Sequence, residues 1–90
     1  MLYSKRNYND PKYKQWRISV YKRDGFKCKF PGCSNNKKIN AHHIVRWADA
    51  EFLRYDISNG ITLCSLHHKL VTGNENTYMK LFIDIIQKKS

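Results

Sequence analysis

No stretch of this chain approaches the ~20 consecutive apolar residues of a membrane-spanning helix. The opening residues, MLYSKRNYND, lack the apolar core of a secretory signal. Repeats and low-complexity linkers are missing as well. The 3 cysteines are too few for a disulfide framework, and their odd number leaves one without a partner. Acidic residues are scarce: 7 Asp plus Glu stand against 17 Lys plus Arg, a formal charge of +10. These absences argue against a helical membrane protein and against a disulfide-stapled secreted module. The expectation they leave is a soluble protein of a reducing compartment, the cytoplasm.

Ninety residues are expected to form a single domain over 1–90. A domain of that size buries only roughly 60–65% of the surface its unfolded chain exposes, so a staple is expected. With disulfides set aside, cysteines beside histidines point to a metal.

The charge is unevenly placed. Residues 1–40 hold 11 basic and 2 acidic residues, whereas residues 41–90 hold 6 and 5. The N-terminal part is therefore a basic surface, for which a polyanion, and nucleic acid first among polyanions, is the expected partner. The competing explanation is a solubilising charge excess.

Residues 1–9 are polar and expected to be loosely ordered. Asp10-Pro11 supplies an N-cap carboxylate and a proline for the first helical position, and Asp24-Gly25 supplies a stop, which predicts a basic helix over 11–24. Tyr13, Trp16 and Val20 recur at helical spacing, with Arg17 and Tyr21 alongside. FKCKFPGCSNN predicts a turn between two cysteines, and KINAHHI a short strand. Residues 45–58 form an irregular, partly helical loop. GITLC is a second strand, rich in β-branched residues, and SLHHKLVTG a short helix closed by Gly73. A last helix over 77–88 places Tyr78, Leu81, Phe82, Ile85 and Ile86 on one face, read as core.

Cys28 and Cys33 flank a four-residue turn, while Cys64 and His67 flank Ser65-Leu66 at a helix start. Two short-spaced pairs far apart in sequence are how a tetrahedral zinc site is built, so a structural zinc with a Cys3His ligand set is expected. The alternative is a group of buried, unrelated thiols. His68 lies about 100° further round the helix than His67 and is left for a second site.

The remaining imidazoles, His42 and His43, end the first strand. In a regular strand they face opposite sides. A bend there would bring both toward the helix that carries His68. Two converging imidazoles form a thin ligand pair for a divalent cation, and the third is a general base near neutral pH, a set suited to phosphodiester hydrolysis.

The order AHHI, SNGITLC, LHHK resembles the motif of the HNH endonucleases, built on a ββα-metal finger, and in particular the small zinc-containing HNH proteins of bacteriophages. The resemblance covers about residues 26–73. It implies an α+β fold: a two-stranded hairpin plus helix, stapled by structural zinc, with flanking N- and C-terminal helices. It implies His43 as general base, Asn59 as the amide that braces the loop and orients that base, and His42 and His68 as ligands of a catalytic divalent cation. Two departures stand out. His42 replaces the family's more common aspartate, which shifts the expected metal from magnesium toward manganese, nickel or zinc. His67 stands where the family usually has a fourth cysteine.

Asn59-Gly60 also reads as a plain turn dipeptide. Asp49, Glu51 and Asp56 are expected to be solvated charges, and Trp47 and Trp16 packing residues. Lys14, Arg17, Lys22 and Arg23 share one helix and are expected to meet phosphates. The resemblance makes the expected function metal-dependent cleavage of DNA, in the cytoplasm of a bacterial host and with a phage terminase as a partner. A zinc-stapled nucleic-acid-binding module without catalysis would account for charge and cysteines but not for the extra histidines. A zinc-organised protein-interaction domain would account for neither the charge asymmetry nor the histidines.

Overall fold

The structure, a computed structural model, describes residues 9–87. The polar segment read as loosely ordered lies outside the described residues except for Asn9, and so does Lys88. No helix among the described residues is long and apolar enough to cross a membrane.

The first helix, α1, spans Pro11–Asp24. The Asp10 carboxylate accepts from the Lys12 backbone N–H at 2.9 Å, and Pro11 takes the first position, where no amide proton is needed. At the other end Gly25 is left-handed at φ 72°, and the N–H groups of Gly25 and Phe26 donate to the carbonyls of Lys22 and Tyr21. The Phe26 and Tyr21 rings lie 6.0 Å apart, the apolar contact that accompanies this closure.

A cysteine-bearing turn follows. Cys33 N–H donates to the Phe30 carbonyl at 2.9 Å, and Gly32 between them has φ 81°. Pro-Gly at the two central positions suits a type II turn, which needs a positive φ at the second. The turn is tied to the core by Lys29 N–H donating to the Thr62 carbonyl.

Strands β1, Ile39–His43, and β2, Gly60–Cys64, pair antiparallel, with His42 opposite Ile61 and His43 opposite Gly60. The long connection between them contains two 3-10 turns, Glu51–Leu53 and Ile57–Asn59. Helix α2, Ser65–Val71, follows β2 directly, and α3 runs Glu75–Gln87. The last helix thus begins two residues before the expected Thr77.

Every residue of β2 is buried, because the hairpin is covered on both faces. On one face Tyr13, Trp16 and Val20 of α1 pack with Trp47 and Ala41. On the other, Ile44, Ile61, Leu63 and Val71 pack with Phe82 and the thiols of Cys28 and Cys64. Tyr78, Ile85 and Ile86 join that second cluster as expected of the apolar face of α3. Leu81 does not: it is 38% exposed, while Met79 and Ile83 turn inward instead. Three helices packed around the hairpin make this a small α+β fold with the ββα unit β1–β2–α2 at its centre.

Gly60 is not a turn glycine. Its φ is −129°, an ordinary extended value. A Cβ there would fall 2.5 Å from Val20 Cγ2 and 2.7 Å from the Trp16 ring, so the missing side chain is what lets α1 approach the hairpin.

Candidate metal and catalytic site

The Sγ atoms of Cys28, Cys33 and Cys64 and a ring nitrogen of His67 lie within 4.8 Å of one another. His67 Nδ1 is 3.6 Å from Cys28 Sγ and 3.4 Å from Cys64 Sγ. Zinc–sulfur bonds of about 2.3 Å and zinc–nitrogen bonds of about 2.0–2.1 Å at a tetrahedral angle set that separation at about 3.6 Å. The four donors therefore fit zinc in number, type and spacing. Burial pushes the Cys28 thiol up to about 11. At the start of α2 the His67 backbone N–H holds the Cys64 thiol below its usual value, against the burial that raises it. The His67 ring is fixed by Phe30, stacked on it at 4.2 Å and 3°.

The second cluster forms at the end of β1. A cavity of about 320 Å³ is lined by His42, His43 and His68, with Arg46, Trp47 and Glu75 among the other walls. The ladder is regular through His43, so no bend brings the histidines together. They keep to opposite faces of β1 and both border the cavity from there. His42 packs against His68, ring centroids 5.7 Å apart, and against Phe82. His43 turns to α1, where it stacks on Trp16 at 3.9 Å and 12°, with the Trp47 ring edge-on at 5.4 Å.

The His43 ring has a defined hydrogen-bonding sense. Its Nε2 lies 2.8 Å from the Arg54 carbonyl oxygen, which can only accept. Nε2 therefore carries the proton, and in the neutral ring the basic lone pair belongs to Nδ1. The carbonyl is held in turn by the loop. Asn59 Oδ1 accepts from Val45 N–H at 2.8 Å, and its Nδ2 donates to the carbonyls of Val45 and Leu53 at 3.1 Å each. Arg54 lies over Trp47 at 4.4 Å and donates to the Trp47 carbonyl. Asn59 is thus a buried brace across the loop rather than a turn residue.

Three of the four basic side chains expected to meet phosphates remain available on α1. Lys14 and Lys22 are exposed. Arg17 lines a groove with Tyr13, Tyr21 and Asn40 that shares Ala41 and His68 with the histidine cavity. Arg23 is a different case. Its guanidinium donates to the Asp24 carboxylate, to the Ile57 carbonyl and to the Gly60 carbonyl. Asp24, itself buried, accepts from the Thr62 N–H at 2.8 Å. Arg23 is a strap between α1 and β2, and the expectation that it contacts phosphate is revised on that ground.

The loop acids divide. Asp49 pairs with Arg46 at 2.9 Å, and Asp56 caps the second 3-10 turn through Ser58, while Glu51 is exposed as expected. What sequence reading missed is the backbone carbonyl of Arg54, which leaves no mark in a sequence. The Trp16 platform under His43 was legible only as a core residue. Glu75, a carboxylate on the cavity wall, lies outside the motif and is brought in by the start of α3.

The sequence profile of the HNH endonuclease family matches residues 28–71. No curated protein and no solved structure matches the chain.

Proposed function

We propose, from the match of residues 28–71 to the HNH endonuclease family, that the protein is a metal-dependent endonuclease that hydrolyses phosphodiester bonds of DNA. The observation that carries the proposal is the cavity shared by His42, His43 and His68, with the His43 proton committed at Nε2 to the Arg54 carbonyl. In this reading His43 Nδ1 removes a proton from water, and the hydroxyl so formed attacks phosphorus as the bond to the leaving sugar oxygen breaks. Trp16 and Arg54 hold the ring in the orientation this requires, and Asn59 holds the loop that carries the Arg54 carbonyl. His42 and His68 would hold the divalent cation, whose chemistry is to neutralise phosphate charge and stabilise the leaving oxygen. Two imidazole donors suit manganese, nickel or zinc better than magnesium. Cys28, Cys33, Cys64 and His67 would hold a separate, structural zinc.

DNA as substrate is supported by the basic face of α1 and by the groove that leads from Arg17 into the cavity. On the resemblance alone the proposal extends to a bacteriophage protein at work in the cytoplasm of a bacterial host, with a terminase as partner. A pull-down from infected cells tests that extension.

The nuclease reading is tested on supercoiled plasmid with magnesium, manganese, nickel or zinc added singly, with and without chelator. Nicked or linear product that depends on added cation is expected. Salt-sensitive DNA binding without cleavage under any cation would leave a non-catalytic binding module instead.

A further inference from the structure

Arg46 follows the histidine doublet by three residues and contributes to the wall of the same cavity. The cavity's other charged wall residue is Glu75, so Arg46 is its one permanently cationic side chain among the described residues. Its guanidinium is hydrogen-bonded side-on by the Asp49 carboxylate, with Nε donating to Oδ2 at 2.9 Å and a terminal nitrogen donating to Oδ1 at 3.1 Å, while Glu75 acts on it through charge alone. Asp49 is held there by a tight turn, its N–H donating to the Arg46 carbonyl at 3.0 Å. Both side chains are about half exposed. Two parallel N–H···O bonds to a planar pair of oxygens are the arrangement a guanidinium makes with two non-bridging oxygens of a phosphate. An exposed ion pair of this kind is weak, so its replacement costs little.

Resting on the nuclease reading above, we infer that Arg46 grips the phosphodiester at the cavity, and that Asp49 is its resting counter-ion, a carboxylate that occupies the phosphate's place until DNA displaces it. The arrangement keeps the guanidinium pre-oriented beside His42 and His43. It also sets a threshold: a substrate phosphate enters only by out-competing Asp49. Arg46 and Arg17 then stand on the cavity and on the groove continuous with it, which gives the bound strand a cationic contact on each side of the histidines.

The test is a double-mutant cycle on binding to a short DNA duplex, read by fluorescence anisotropy in buffer without added divalent cation, so that no cleavage intervenes. Arg46→Gln is expected to weaken binding about tenfold, the scale of removing one charge-assisted hydrogen-bond pair. Asp49→Asn is expected to tighten binding severalfold in the wild-type background and to have little effect in the Arg46→Gln background. Glu51→Gln, an exposed acid in the same loop, controls for the general gain from removing negative charge. Equal effects of Asp49→Asn in both backgrounds, or wild-type affinity for Arg46→Gln, would overturn the inference. Plasmid cleavage by the same proteins reads the nuclease proposal separately. A protein that binds with the expected coupling but never cuts sinks the nuclease reading and leaves the Arg46 grip standing, and a wild type that cuts plasmid but does not bind the duplex in this buffer overturns the grip alone.

Discussion

Along α2 the step from His67 to His68 turns the side chain by about 100°, and that rotation sends two neighbours into two separate clusters. His67 faces Cys28 and Cys64, whereas His68 faces His42 across the cavity. Single substitutions should therefore separate. His67→Ala removes a donor from the cysteine cluster, and a lower melting temperature with indirect loss of cleavage is expected. His68→Ala should melt near wild type and His42→Ala, whose ring is buried against Phe82, somewhat lower; both should cut slowly, with partial rescue by excess cation. His43→Ala should keep cation affinity and lose about 10²–10⁴-fold in rate, with no rescue at any metal concentration, and should also melt below wild type because the ring is buried against Trp16. Cleavage assays across a metal titration, paired with thermal melts, read all four. Wild-type rate for His43→Ala together with metal-resistant loss for His42→Ala would reverse the two roles.

The hairpin works as an element because α1 can lie almost on its backbone. Gly60 faces Trp16 and Val20 with no room for a methyl group, and directly across the ladder from it stands His43, stacked on that same Trp16. Gly60→Ala should push α1 outward at a cost of about 1–3 kcal/mol, as overpacking of a filled core does. For a domain of this size each kcal/mol lowers Tm by roughly 4–8 °C, so calorimetry resolves the effect. An unchanged Tm would show that Trp16 yields freely. The Arg23–Asp24 strap joins the same two elements by polar means: Asp24 satisfies the Thr62 amide that β1 does not reach, and Arg23 neutralises Asp24.

At the scale of the whole molecule, two apolar clusters on either side of a two-stranded hairpin are a small core for ninety residues. The cysteine cluster ties the Cys28–Cys33 turn to the junction of β2 and α2 and so closes the larger of the two. One zinc per chain is expected by elemental analysis, and Cys28→Ala should lose it and unfold, since metal binding and folding are one equilibrium in small zinc domains. Folded protein free of zinc would refute this. The charge asymmetry is also a property of the whole surface. Neutralising Lys14, Arg17 and Lys22 together should flatten the log–log dependence of DNA affinity on salt by about 0.9 for each duplex phosphate no longer neutralised. Arg23→Gln should leave that slope alone and lower Tm instead, because its guanidinium is spent on Asp24, Ile57 and Gly60.

Local signals in the chain sufficed for the ends of α1 and for the cysteine–histidine cluster, whereas the start of α3 at Glu75 fell two residues before the expected Thr77. Asp10-Pro11 and Asp24-Gly25 bound α1, Pro31-Gly32 sets the turn between the cysteines, β-branched residues mark β2, and helical apolar spacing marks the flanking helices. Each depends on residues a few positions apart, so chain geometry alone decides it. The spacing of Cys28, Cys33, Cys64 and His67 likewise foretold a set of donors that now lie within 4.8 Å. Tertiary structure decided what depends on residues far apart. It kept β1 straight and made one cavity serve both of its faces, and it gave His43 its proton sense through the Arg54 carbonyl, eleven residues away. It supplied the partners, Val45 and Leu53, of the Asn59 amide, which the resemblance implies only as a brace of the loop, and made Gly60 a point of close packing where the sequence also reads as a turn. It withdrew Arg23 from the basic face, left Leu81 outside the core, and brought Arg46 and Glu75 to the histidines. A side chain's partners across the fold, unlike its helical or strand period, are fixed only when the elements pack.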